Sequence, residues 1–511
     1  MFSTLVVDQH KISFAKEYFA RYITLMCCFI FLKRVEAALL VIDLGKAKAL
    51  RAFREKVMES KTDASVDLTW KRIDNNEEKM RTAEIQEALE LKSNSSVLLY
   101  AFDHDNLLNI WVVNSDNGVK TFKHNEVLQE IDLFLKFLLI NCNLNLNRDS
   151  SFTPGYQMIA HDQTSDLGKS DTTSSTRFLK QQRDESEFFN YASESVDLLT
   201  EEAFRLLYQV LIHPVKELIK GTKIVIVPDK SLFFVPFCSL LDENFCRLSE
   251  NYSIQTAPSL HTLVSSATRS RDSSLGFALF VGNPTVGKVS FRGKEIELGL
   301  LPRSSEEVKY LAPLLGAQAL VEGEATKERV LKFIRDASII HIAAHGEPDS
   351  GEIFLAPNPT KTEQNSSLPN ENSYLLKQQD IMKIAINARL VVLCCCHTGK
   401  GQISSEGVVG LARAFLCAGA RSVLATLWSI HDEGTKGFMK NFYGEIFKET
   451  SVCEALRKTM NMFQSHENEE FRSFMIWGPF AIYGEDVCFT RDDIEKIKRK
   501  SHEMGKKEVT D

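Results

Sequence analysis

The sequence predicts an α/β protein, a parallel-sheet sandwich with helices on both faces, preceded by a short helical segment and a small α+β region. Two observations carry this. First, several short runs are largely apolar and show no polar alternation: Lys223-Ile224-Val225-Ile226-Val227, Phe277-Ala278-Leu279-Phe280-Val281, and residues 339–343, 389–395 and 422–427. Strands without polar alternation are buried on both faces, as in a parallel sheet between helical layers. Second, helical spacing returns between these runs, around 306–315 and 327–335 and over Val408, Leu411, Ala412, Phe415 and Leu416. The last pattern stops at Gly419, the residue type that closes helices in the left-handed conformation.

Upstream, residues 10–58 read as two helices. In the second, Ala37, Leu40, Val41, Leu44 and Ala47 share one face, with Glu36, Lys46, Lys48 and Arg51 expected in solvent. Strand character follows at 97–102 and 110–113, separated by the turn cluster Asp103-His104-Asp105-Asn106. A helix is expected from Glu126 to about 141. The stretch 147–187 is rich in Ser, Thr, Asp and Gln and has no apolar period, so it reads as a linker or long loop. The expected organisation is a helical pair over 1–60, an α+β region over 61–146, a polar linker over 147–195, the α/β domain over 196–487 and a charged tail over 488–511.

A chain of 511 residues can bury a sizeable core. Its net charge of −7 argues against a protein that coats nucleic acid, so no nucleic-acid partner is expected. The eleven cysteines are odd in number and irregularly spaced, and three are consecutive. That is not a disulfide framework, and an intracellular, cytoplasmic location is expected. The apolar run at 22–32 is shorter than the ~20 residues a membrane span needs. Lys33-Arg34 follow it and no small-residue cleavage site does, so neither a span nor a signal peptide is expected.

Two of the buried strands run into reactive residues. Ile339-Ile340-His341-Ile342-Ala343-Ala344 leads to His345-Gly346, and Leu390-Val391-Val392-Leu393-Cys394-Cys395 leads to Cys396-His397-Thr398-Gly399. In an open parallel sheet, ligands bind beyond the carboxyl ends of the strands, and neighbouring strands would bring His345 and Cys396 to one rim. A thiolate is a nucleophile, and an adjacent imidazole takes the thiol proton and returns it to a leaving amine. The N–H groups of Gly346 and Cys396 can hold a tetrahedral oxyanion. These roles fit acyl transfer.

Other features have plainer readings. His341 lies well inside its strand and reads as a core histidine with its hydrogen bonds made. Cys394 and Cys395 should point to opposite faces. Consecutive residues from Cys394 to His397 cannot converge on one ion, and no metal or other cofactor is expected. His397 either tunes the neighbouring thiol or faces solvent. Gly282-Asn-Pro-Thr-Val-Gly287-Lys288 has phosphate-loop spacing, but Val289 stands where Ser or Thr is required, and Ser290-Phe-Arg-Gly293 reads as loop where a helix should begin. The basic run Lys496-Ile-Lys-Arg-Lys500 reads as part of a solvated tail or as a patch for an acidic partner. The polar stretch 357–373 either shapes a cleft, is a processing site or is a tolerated insertion.

His341-Ile-Ala-Ala-His345-Gly, Val391-Val-Leu-Cys-Cys-Cys396-His-Thr-Gly and the run from Glu406-Gly-Val-Val-Gly to Leu427-Trp428 together resemble the CHAT domain. This is the caspase-like domain found at the end of tetratricopeptide-repeat proteins. Ile226-Val-Pro-Asp229, Leu232-Phe-Phe-Val-Pro-Phe237, Ala257-Pro-Ser259 and Ile476-Trp-Gly-Pro-Phe-Ala-Ile-Tyr-Gly484 belong to the same resemblance, which covers about 196–485. It reaches weakly back to residue 36, where the helices resemble the last ones before such domains. The resemblance implies a caspase–separase fold, with His345 and Cys396 as the catalytic pair. In the separase relatives an acidic residue after the Leu-Trp pair receives a basic P1 side chain, and the matching residue is Asp432. A carboxylate facing Arg gives a bidentate charge-assisted pair; a helix cap is the alternative role for Asp432. The expected function is a cysteine endopeptidase cleaving after a basic residue. The alternative is a catalytically silent CHAT domain serving as a protein–protein scaffold. Either way the expected partner is another protein, as substrate or as ligand, and the oligomeric state is left open.

Overall fold

A computed structural model describes residues 8–46, 94–116, 118–127, 196–260, 262–263, 275–347, 350–358, 368–395, 402–404, 407–428, 430 and 432–510. The expected linker at 147–195, the expected helix at 126–141 apart from its first two residues, and Cys396 with the five residues after it lie outside this set; Glu126 and Val127 are the end of a strand, not the start of a helix.

The first elements are α1 (Asp8–Phe31) and α2 (Val35–Gly45), followed by a three-stranded meander of β1 (Ser95–Phe102), β2 (Leu107–Asn114) and β3 (Gly118–Val127). Ala37, Leu40 and Val41 are buried, as their spacing predicts. Lys46 corrects the reading of that helix, because it is buried rather than solvated. Its ammonium lies 3.1 Å from Asp229 Oδ1 and donates to the Pro228 carbonyl at 3.0 Å. A long aliphatic stem can cross apolar surface provided the charge at its end finds a partner, and here the partner comes from far along the chain. The helical pair covers one face of the sheet, packing Phe19, Met26, Leu39 and Ile42 against Leu99, Trp111, Val225 and Val227.

After α3 (Val196–Leu211) come β4 (Lys223–Val227), β5 (Ser253–Thr256) and β6 (Ala278–Pro284). Residues 290–293, expected as loop, lie instead in a hairpin of β7 (Gly287–Phe291) and β8 (Lys294–Leu298), which leads into α4 (Pro302–Leu311). Then follow β9 (Ala319–Glu322), α5 (Lys327–Ile334), β10 (Ile339–Ala344), the two-residue strands β11 (Ile353–Phe354) and β12 (Leu375–Leu376), and β13 (Leu390–Cys395). A hairpin of β14 (Gln402–Ser404) and β15 (Gly407–Val409) precedes α6 (Leu411–Ala418). Val408 is therefore in a strand, and the helix begins three residues later than its apolar spacing suggests. The chain closes with β16 (Ser422–Thr426), α7 (Asp432–Ile446), α8 (Val452–Gln464), β17 (Phe480–Gly484) and α9 (Arg491–Thr510).

Eleven strands form one sheet in the order β3-β2-β1-β4-β5-β17-β16-β13-β10-β6-β9. From β4 to β9 the pairings are parallel except β16–β17. Helices cover both faces because the strands alternate between two apolar layers. Ile339, Ala343, Leu390, Val392 and Cys394 pack against α4, α7, α8 and α9. Ile340, Ile342, Ala344, Val391, Leu393 and Cys395 pack against α5 and α6. Cys394 and Cys395 thus face opposite layers.

Candidate active site

The register places the end of β10 beside the end of β13. The two strands are adjacent and parallel from Ile339↔Leu390 to Ala344↔Cys395. His345 is the first residue beyond β10, and Cys396 is the first beyond β13. β13 is held at this level on its other side by β16, whose Thr426 hydroxyl donates to the Cys395 carbonyl.

His345 is half-buried, and its Nε2 lies 2.9 Å from the carbonyl oxygen of Gly299. A carbonyl only accepts, so this contact puts the ring proton on Nε2 and the basic lone pair on Nδ1. Gly299 stands between β8 and α4. Its position is set by the hairpin, which packs Val289 and Leu298 against Phe354, Tyr374 and Leu375, and by the Tyr374 hydroxyl, which donates to the Ser290 carbonyl at 2.8 Å. Gly299 escapes sequence reasoning because a main-chain carbonyl has no residue signature.

Past His345 the chain makes an antiparallel bridge, Gly346↔Ile353. Phe354 N–H donates to the His345 carbonyl at 2.9 Å and Glu347 N–H to the Glu352 carbonyl at 2.7 Å. These bonds flank Gly346 without using its amide, which in such a pair is directed away from Ile353. Glu347 is buried, accepting from Ser350 N–H at 2.6 Å and from Arg292 Nη2 at 3.2 Å. It therefore ties the loop after His345 to the turn of the β7–β8 hairpin. Asp432 is the first residue of α7, close behind the buried Leu427 and Trp428 that follow β16.

One level below the rim, His341 is completely buried. Its Nε2 lies 2.7 Å from Glu307 Oε1 on α4 and its Nδ1 lies 3.2 Å from the Tyr443 hydroxyl on α7. It is a core histidine with both nitrogens engaged. Cys394 completes a cluster with Glu307 and His341 whose donor atoms lie within 4.8 Å of one another. Burial, and then the charge of Glu307, push the Cys394 thiol well above its ordinary range. Among the described residues this is the group that could hold a metal ion. The 2.7 Å contact is nevertheless a hydrogen bond, shorter than the roughly 3.3 Å edge between a nitrogen and an oxygen ligand on one tetrahedral zinc.

The sequence profile of the CHAT domain family matches residues 201–485. The chain belongs to the CHAT domain family. Among curated proteins it is similar to Tetratricopeptide repeat protein 28 of Mus musculus, at 26% identity over 332 residues, and of Homo sapiens, at 27% over 326 residues. These alignments cover 57% and 55% of this chain but 13% of each relative, so the chain spans only a small part of the relatives it matches. Among solved structures, separase in the Saccharomyces cerevisiae separase–securin complex superposes with a TM-score of 0.50 at 13% identity, covering 88% of this chain and 34% of separase. At that identity the likeness speaks for the fold alone, and that fold is caspase-like. No helix among the described residues of this CHAT chain is long and apolar enough to cross a membrane.

Proposed function

We propose that this CHAT domain is a cysteine endopeptidase in which Cys396 is the nucleophile and His345 the acid–base. The observation that carries the reading is the level ending of β10 and β13, with Ala344 opposite Cys395 one residue before His345 and Cys396. In this scheme Nδ1 of His345 takes the thiol proton, and the thiolate sulfur bonds to the scissile carbonyl carbon. The amides of Gly346 and Cys396 hold the oxyanion. The imidazolium gives its proton to the leaving amine as the C–N bond breaks. His345 then deprotonates water, which hydrolyses the thioester and regenerates the thiol. The Gly299 carbonyl keeps the ring in the tautomer this sequence requires. Asp432, at the start of α7, is assigned to the P1 pocket, where its carboxylate would pair with Arg or Lys. The partner is a protein, as it is for the separase crystallised with securin.

The test is labelling of the purified chain with an arginine-based acyloxymethyl ketone, mapped by mass spectrometry, beside Cys396→Ala and His345→Ala. Label on Cys396 that is lost in both variants is the expected result. Indifference of Cys396 to the His345 substitution would defeat the dyad and favour a scaffold role for the domain.

A further inference from the structure

The cluster beneath the rim draws one side chain from each segment that carries a proposed site residue. Glu307 lies on α4, which follows Gly299. His341 lies on β10, which precedes His345. Cys394 lies on β13, which precedes Cys396, and Tyr443 lies on α7, which Asp432 opens. His341 and His345, at i and i+4 on one extended segment, belong to the same face. We propose that Glu307, His341, Tyr443 and Cys394 form a polar pin that holds these four segments at one level and thereby positions His345 against the Gly299 carbonyl. The inference rests on the dyad reading for its functional meaning.

The surroundings make the case. The cluster is embedded in an apolar layer, with Phe280 stacked on the His341 ring at 5.6 Å and Ile339, Val392, Phe442 and Met439 in the same core. A carboxylate and an imidazole placed there bring little net stability, since well-packed apolar side chains commonly do as well or better. What hydrogen bonds supply and apolar contacts do not is a single satisfied arrangement. Glu307 Oε1 receives His341 Nε2–H at 2.7 Å, the Tyr443 hydroxyl meets His341 Nδ1 at 3.2 Å, and the Cys394 sulfur lies within 4.8 Å of the Glu307 and His341 atoms. Sliding α4 along β10 would break the first bond and, eight residues upstream, draw the Gly299 carbonyl away from His345. The two histidines therefore report on the same pair of segments, one from the core and one from the rim. Glu307, His341 and Tyr443 are positioning residues, since none of them touches the reacting atoms.

The experiment uses the full chain with ¹⁵N-labelled histidine, comparing the parent protein, Glu307→Gln and Tyr443→Phe, with His345→Ala to assign the signals. The parent should show His345 as the Nε2–H tautomer. In both variants the His345 signals should shift toward a tautomer mixture, and the His345-dependent labelling rate of Cys396 should fall about tenfold to a hundredfold. Folded variants whose His345 signals superimpose on the parent's would overturn the pin, whatever Cys396 does. If Cys396 of the parent is not labelled in a His345-dependent way, the dyad fails, while the ring signals still decide the pin. If Glu307→Gln does not fold, Tyr443→Phe, which removes a single hydroxyl, decides by the same readouts. One equivalent of zinc in the purified chain would also overturn the pin, replacing it with a metal centre on Glu307, His341 and Cys394.

Discussion

Cys394 and Cys453 are both buried in the layer covered by α7 and α8, and burial is the first cause that lifts each thiol well above its ordinary range. A nearby carboxylate adds to it in each case, Glu307 for Cys394 and Asp486 for Cys453. Cys238, half-buried between two apolar clusters, is pushed up to about 12 by burial. Only the thiolate is nucleophilic, so all three should stay inert near neutral pH. Alkylation with iodoacetamide at pH 7.5 should modify the exposed Cys28 and Cys488 more than about a hundredfold faster than these three, as followed by peptide mass spectrometry. The contrast should vanish in urea. Comparable rates in the native chain would mean that the cluster around Cys394 opens to solvent. The same contrast makes Cys238 and Cys453 internal controls for Cys396. At this scale the sequence marks the ends of β10 and β13, because two largely apolar runs stop just before His345 and Cys396; the pairing of those two residues is the proposal made above. Gly299, Glu347 and Arg292 were not legible, since their roles arise from main-chain position or from a partner distant in sequence.

The elements were legible where burial was uniform. β10, β13 and β16 announce themselves because both faces are covered and polar residues do not alternate with apolar ones. The β7–β8 hairpin was missed for a local reason. Its turn residues, Arg292 and Gly293, both have positive φ, at 50° and 75°, the pattern of a two-residue hairpin turn. Arginine at the first of these positions gives no sequence signal for it. Lys46 was misread because a charge at the end of an amphipathic helix ordinarily faces water, and its partner Asp229 belongs to another element. The helix stop at Gly419 was read correctly, and it carries a prediction. Gly419 has φ of 118° and caps α6, donating to the Leu416 carbonyl at 3.3 Å. A Cβ at this position would run into the Ile386 carbonyl. Gly419→Ala should therefore cost about 2–3 kcal/mol, combining an unfavourable backbone conformation with a steric clash. Urea unfolding followed by circular dichroism would read this as a lowered midpoint. An unchanged midpoint would mean that the turn between α6 and β16 relaxes freely, and that the level of β16 beside β13 is not set there.

Across the whole molecule, charge pairs at the seams of the eleven-stranded sheet, one buried and one partly buried, join elements far apart in the chain. Lys46–Asp229 docks the helical pair onto β4. Lys223, at the start of β4, meets Asp486, just past β17, at 2.6 Å, which bridges the two strands that flank β5. The Asp486 carboxylate also accepts the Cys453 N–H at 2.9 Å, adding the start of α8 to the same joint. Burial alone would raise its pKa, but Lys223 and the Cys453 hydrogen bonds outweigh burial and hold it below the usual carboxylate range. A carboxyl with a depressed folded pKa contributes stability that is fully present above its unfolded pKa, near 3.9, and is lost as pH falls through the folded value. Removing the lysine leaves a largely buried carboxylate without its counter-charge at neutral pH, at a cost of about 3 kcal/mol. In Lys223→Met the carboxyl can escape that cost by protonating, so its pKa should rise. The stability gap between the parent and Lys223→Met should therefore be widest near pH 7, begin to narrow as pH falls through the variant's raised pKa, above about 3.9, and go on narrowing down through the parent's lowered one. Urea midpoints taken at pH 7, 5, 4 and 3 would test this. A gap that stays constant across the series would assign the joint's strength to the packing of the lysine stem and the Cys453 amide, with no part for the charge on Asp486.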